Sequence, residues 1–114
     1  MVSVVNGRNG RVFLSDLREA KGPWRKLVGL MFRRSLAAGE GLILRPALGI
    51  HTHFMRFPID LVYLDQANRV SAVRPAMPPW RHDARIAAAV IEANAGAATL
   101  ADIQVGDELR FERQ

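Results

Sequence analysis

The chain has 114 residues, of which 49% are apolar and none is cysteine. One domain of this size buries roughly two-thirds of the surface its unfolded form exposes, and the lack of cysteine excludes disulfides, thiolate metal sites and cysteine nucleophiles. The net charge of +5 is uneven: residues 1–34 hold eight Lys or Arg against Asp16 and Glu19, a net of +6, and residues 35–114 carry a net of −1, so the first third either attracts anionic partners or forms a solvated basic face.

Val2-Ser3-Val4 and Val12-Phe13-Leu14 flank Asn6-Gly7-Arg8-Asn9-Gly10, and residues that tolerate positive φ between two apolar runs predict a hairpin. The N-terminus has no charged lead and turns polar too early for a signal peptide. Gly22-Pro23 punctuates the chain, and Trp24, Leu27, Val28 and Met31 follow at helical spacing, which predicts a short helix over 23–30. Gly39-Glu40-Gly41 is a turn, Leu42-Ile43-Leu44 a buried strand ending at Pro46, and Ile50 to Phe54 another strand. Pro58 keeps Phe57 out of helical angles. Leu61-Val62-Tyr63-Leu64 is apolar on both alternating faces, as in a central strand. Asp65 to Asn68 is a hairpin loop and Arg69 to Val73 the returning strand. Pro75 to Arg81 contains three prolines, which predicts a rigid loop carrying Trp80 rather than a central strand. Alanines in Asp83 to Ala95 favour helix and Val90-Ile91 favour strand, so that stretch is open. Ile86 to Ile91 is far shorter than the roughly 20 apolar residues of a membrane span. Thr99 to Asp102 resembles a capping box, Val105-Gly106-Asp107 is a turn, and Leu109 and Phe111 alternate with charged residues as in a half-buried closing strand. The expectation is one soluble, cytoplasmic α+β domain over residues 1–114, mostly β, built as a barrel-like antiparallel or mixed sheet with a few short helices.

Two segments carry polar groups inside apolar runs: Gly29-Leu30-Met31-Phe32-Arg33 and His51-Thr52-His53-Phe54-Met55-Arg56-Phe57-Pro58-Ile59-Asp60. Such groups end up paired or at the rim of a pocket. With Gly39-Glu40-Gly41-Leu42, Val90-Ile91-Glu92-Ala93-Asn94-Ala95-Gly96 and Val105-Gly106-Asp107 in order, the chain resembles the uncharacterised family named domain of unknown function 192. The resemblance implies a compact, mostly β domain and favours strand over 86–94. It implies no activity. Many members have a Trp-Met pair followed by Asn-Thr where this chain has Phe54-Met55-Arg56-Phe57, and His53 falls outside the usual pattern.

Asp60 between Ile59 and Leu61 needs a cation or backbone donors, with Arg56 and Arg33 as natural partners. Chain reversal at Pro58 would bring His51 and Asp60 together at one end of the sheet, with Arg56 reaching over it. Arg33, Arg56 and Arg81 could form an anion clamp. His51 and His53 share a strand face and could hold a metal if Asp60 or Glu92 joined them, although paired strand histidines more often bond to neighbours. No phosphate loop, nucleophile elbow or zinc-protease motif is present. The expected function is binding of a small polar or anionic ligand by Arg33, His51, Arg56 and Asp60, with no cofactor and no resident metal. The alternatives are a hydrolase or isomerase using Asp60 or Glu92 as base, and a weak binder of nucleic acid or anionic surfaces through the basic third. Nucleic acid is disfavoured because few aromatics interleave with the basic residues.

Overall fold

A computed structural model of the chain describes residues 1–20, 35–51 and 56–113, with His51 through its backbone only. Ten strands and one short helix follow in order: β1 (Val2–Asn6), β2 (Val12–Leu14), β3 (Asp16–Glu19), β4 (Glu40–Leu44), β5 (Ala47–His51), β6 (Ile59–Leu64), β7 (Val70–Met77), β8 (His82–Ala87), β9 (Ala89–Asn94), α1 (Ala97–Leu100) and β10 (Leu109–Arg113). The helix expected over 23–30 and residues 52–54 of the expected strand lie outside the described residues.

The centre is a five-stranded sheet in the order β3-β4-β9-β6-β7. Only β3 and β4 run parallel; the other neighbours are antiparallel. β6 and β9 have strands on both sides and bury every residue from Ile59 to Leu64 and from Ala89 to Ala93, the burial expected when both faces of a sheet are covered. One face carries Ile43, Val62, Leu64, Ala89, Ile91 and Ala93. A three-stranded sheet in the order β10-β1-β2 supplies Val4, Phe13, Leu14 and Leu109 to the same cluster, and α1 supplies Ala98. The opposite face carries Leu44, Ile59, Leu61, Tyr63 and Val90, packed with Ala47 and Ile50 of a separate two-stranded ribbon, β5-β8. Strand alternation sorts the residues of β6 and β9 between the two clusters.

A polar knot joins the chain's beginning to its end. Asn6 Nδ2 donates to the Ala101 carbonyl and to Asp107 Oδ2, both at 3.1 Å. Arg8 Nε donates to Asp107 Oδ1 at 2.8 Å, and the Gln104 N–H donates to Asp107 Oδ2 at 2.8 Å. Burial by itself raises the Asp107 carboxyl, but these hydrogen bonds outweigh it and hold it below the usual range.

Most expected strands and turns are present, with three corrections and one open stretch resolved. The sheets do not close into a barrel, and one short helix is present among the described residues. The edge strand β7 carries Pro75, which has no N–H to donate to a further strand. The returning strand extends to Met77 rather than stopping at Val73, because an edge position tolerates the proline that excludes a central strand. The open stretch 83–95 resolves into β8 and β9, separated by one residue at Ala88. α1 begins at Ala97 rather than at Thr99: its N-cap is Gly96 at φ 95°, with no capping bond from its own side chain.

Candidate polar site on the β5–β8 side of the sheet

Asp60 is fully buried, second in β6. Its neighbours Ile59 and Leu61 enter the cluster on the ribbon side, so alternation turns the carboxylate to the opposite face. There Oδ1 accepts the Ala76 N–H at 2.8 Å, and Oδ2 accepts the N–H groups of Gly96 and Ala98 at 3.1 and 3.0 Å. Three donors satisfy a buried carboxylate without a cation. The sequence left the partner of Asp60 open between an arginine and the backbone. The backbone provides it, and Asp60 makes no ion pair among the described residues. The same oxygens tie β6 to the edge strand β7 and to the entrance of α1.

Of the other expected site residues, Arg33 and His53 lie outside the described residues. The His51 backbone ends β5 directly opposite His82. Arg56 is exposed in the bend before β6, and Phe57 packs against the ribbon-side cluster. β5, through Ala47 and Ile50, and the 56–58 segment, through Phe57, thus both reach the ribbon side of the sheet. The Asp60 carboxylate does not. Arg81 is exposed at the approach to β8. Among the described residues, no three His, Asp or Glu side chains converge as a metal-binding set.

The ribbon side does carry a polar pair. Glu92, in the central strand β9, lies opposite Leu61 on one side and Leu42 on the other. It is 4% exposed, and Oε2 is buried without a hydrogen-bond partner among the described residues. Burial among apolar side chains penalises its charged form and pushes its carboxyl up to about 7. Tyr63 lies opposite Val90, a diagonal cross-strand neighbour of Glu92, at a spacing long side chains can span. Its hydroxyl is also buried and, among the described residues, makes no hydrogen bond of good geometry, although the Asp83 carboxylate is near enough to attract it. Burial raises the phenol well above its usual value, and the nearby Asp83 carboxylate adds to this through its charge and, less, as a hydrogen-bond acceptor. Arg74 Nη1 holds Asp83 Oδ2 at 3.3 Å, and the Arg85 guanidinium lies 5.6 Å from the Tyr63 ring centroid. Two polar groups without well-formed hydrogen bonds in an apolar layer, bordered by two arginines and a carboxylate, can take hydrogen bonds from a small molecule.

Sequence reasoning reached Glu92 but passed over Tyr63, which reads as one more apolar member of a buried strand. The signal was there: Tyr63 is the chain's single tyrosine, and a buried phenol normally has a partner.

The family model DUF192, described as Uncharacterized ACR, matches residues 4–111. No curated protein matches the chain. Two solved structures share its fold. A Sinorhizobium meliloti 1021 protein described as a candidate transcription regulator superposes with a TM-score of 0.81 at 22% identity, covering 96% of this chain and 91% of that one. A protein of unknown function from Novosphingobium aromaticivorans DSM 12444 superposes with a TM-score of 0.79 at 25% identity, covering 96% of this chain and 82% of that one.

Proposed function

The chain belongs to DUF192, and from that premise we propose that it is a binding domain for a small polar ligand, with Glu92 and Tyr63 at the base of its site. One observation carries the reading: both side chains end in buried polar atoms that have no well-formed hydrogen bond among the described residues, on one face of one sheet. A buried carboxyl and phenol without well-formed hydrogen bonds each cost stability, and a ligand donating to both offsets that cost. Arg74 and Arg85 border Tyr63 and favour a ligand that also carries an anionic group. Exposed Arg56 and the end of β5 at His51 belong to the rim of this site, and Asp60 supports it from behind by holding β6 to β7. The test is a thermal-shift screen of hydroxy acids and sugar phosphates on the parent, Glu92→Gln and Tyr63→Phe. Hits that raise the parent's melting temperature and lose most of that shift in both variants support the reading. Hits that stabilise all three proteins equally remove it.

A second reading makes Glu92 a general base. Its carboxyl near 7 suits proton transfer at neutral pH, whereas the Asp60 oxygens are occupied by three N–H groups. Turnover of a hit, abolished in Glu92→Gln while binding persists, would favour this enzyme over the binding domain. The description of the Sinorhizobium relative invites a nucleic-acid role, but among the described residues of the basic third Arg8 and Arg18 are already in ion pairs.

A further inference from the structure

The β5–β8 ribbon covers one side of the central sheet and, among the described residues, forms a ladder of its own that does not extend that sheet. Its inward positions are accounted for by Ala47, Ile50 and Asp83. Its outward positions are not. Leu48 and Ile86 stand directly opposite each other across the ribbon, 72% and 73% exposed. Trp80, 56% exposed, stands at the approach to β8. Exposed aliphatics scattered singly need no explanation, but a cross-strand pair on one face of a projecting ribbon marks an interaction surface.

Charge says what kind of partner fits. Residues 41–59 contain no Asp or Glu, and residues 66–91 contain only Asp83, whose carboxylate is paired with Arg74. Arg81 immediately precedes β8 and Arg56 follows β5, and both are exposed. We propose that the outer face of this ribbon docks the domain on an anionic lipid bilayer, with Leu48, Ile86 and Trp80 entering the headgroup boundary and Arg56 and Arg81 facing lipid phosphates and carboxylates. Aliphatics this exposed project from the surface, so they fit a deformable hydrocarbon boundary better than a preformed protein groove. Apolar side chains beside arginines, with an indole at the interface, are the pattern such surfaces bind. Docking of this kind is reversible, since it rests on a few side chains and not on a spanning segment. Its apolar contacts are separate from the Glu92 site, whose side chains point from the central sheet toward the ribbon's inner face.

The experiment is co-sedimentation of the full chain with vesicles of phosphatidylcholine alone and of phosphatidylcholine with phosphatidylserine, for the parent, Leu48→Asp/Ile86→Asp and Leu48→Ser/Ile86→Ser. Circular dichroism melting confirms that each variant folds, and the serine pair keeps the test usable if the aspartates impair folding. The expected result is parent binding to the serine-lipid vesicles at least about tenfold tighter than to neutral ones, falling as salt is raised. A loss of about tenfold or more in the folded ribbon variants is expected with it. Absence of binding to anionic vesicles overturns the proposal. So does binding that both ribbon variants retain, which would place the contact in the basic first third. Ribbon-dependent binding of an acidic polypeptide such as polyglutamate, without vesicle binding, overturns it in favour of a protein partner.

Discussion

Two buried carboxylates on neighbouring strands behave in opposite ways. Among the described residues, Asp60 has three N–H donors and Glu92 Oε2 has none. Asp60→Ala would leave those three N–H groups without an acceptor, and we expect a loss of about 3 kcal/mol or more. Asp60→Asn keeps one acceptor oxygen and should lose roughly half as much. Urea unfolding at unchanged m-value measures both, and a parent-like midpoint for Asp60→Ala would refute the role. For Glu92 the sign follows from linkage. Its folded carboxyl, about 7, lies above the ordinary 4.5, so the folded state holds the proton more tightly and stability falls as pH rises from 4.5 to 7. Above pH 7 the deficit levels off at about 3 kcal/mol. Glu92→Gln should therefore match the parent near pH 4 and exceed it by up to that amount at pH 8. A difference that does not grow over this window would show that Glu92 is not buried as an acid. Asp107 runs the other way: its lowered carboxyl contributes stability above the usual aspartate range, and that contribution is lost as pH falls through its folded value.

At the level of elements, close approach explains a residue that propensity does not. Gly41 sits within β4, where a glycine ordinarily weakens a strand. A Cβ there would collide with Leu14 Cδ1 and come within 3.1 Å of the Glu92 carbonyl oxygen. Leu14 is 1% exposed and has no room to yield. Gly41→Ala should destabilise the fold by about 1–3 kcal/mol through overpacking, read as a lower thermal midpoint with unchanged far-ultraviolet spectrum. The proline-rich segment teaches a related lesson. Pro75 was legible as unfit for a central strand, but sequence could not say that β7 would be an edge, where the missing N–H costs nothing. The 83–95 stretch resisted reading because β9, alanine-rich and buried on both faces, and β8, mostly exposed, both lack the period-two pattern that identifies a strand. The start of α1 was misplaced for another reason. The acceptor for its first N–H groups is Asp60, 36 and 38 residues away from Gly96 and Ala98, and no local capping pattern records it.

For the whole molecule, the basic first third invites a nucleic-acid reading that the described arginines weaken. Arg8 is joined to Asp102 and Asp107 and Arg18 to Asp16, so these cations serve the fold as well as solvent. We expect binding to duplex DNA no tighter than about 1 µM at physiological salt, with affinity falling steeply as salt rises. Fluorescence anisotropy across a salt series checks this, and tighter binding would reverse the ranking of functions. By itself the sequence determined the single mostly β domain, the first hairpin, the strands at 42–44 and 61–64, the closing strand, the family resemblance, and the burial of Asp60. Those features follow from local periodicity, turn chemistry and the cost of an unpaired charge in an apolar run. Only the tertiary structure decided which face each buried carboxylate occupies. Strand pairing brings Ala76, Gly96 and Ala98 to Asp60, leaves Glu92 Oε2 and the Tyr63 hydroxyl without well-formed hydrogen bonds among the described residues on the other side, and lifts Leu48 and Ile86 out together on a separate ribbon. A one-residue change of position along a strand reverses its face, and pairing partners lie far apart in the chain, so neither is encoded in any short stretch of residues.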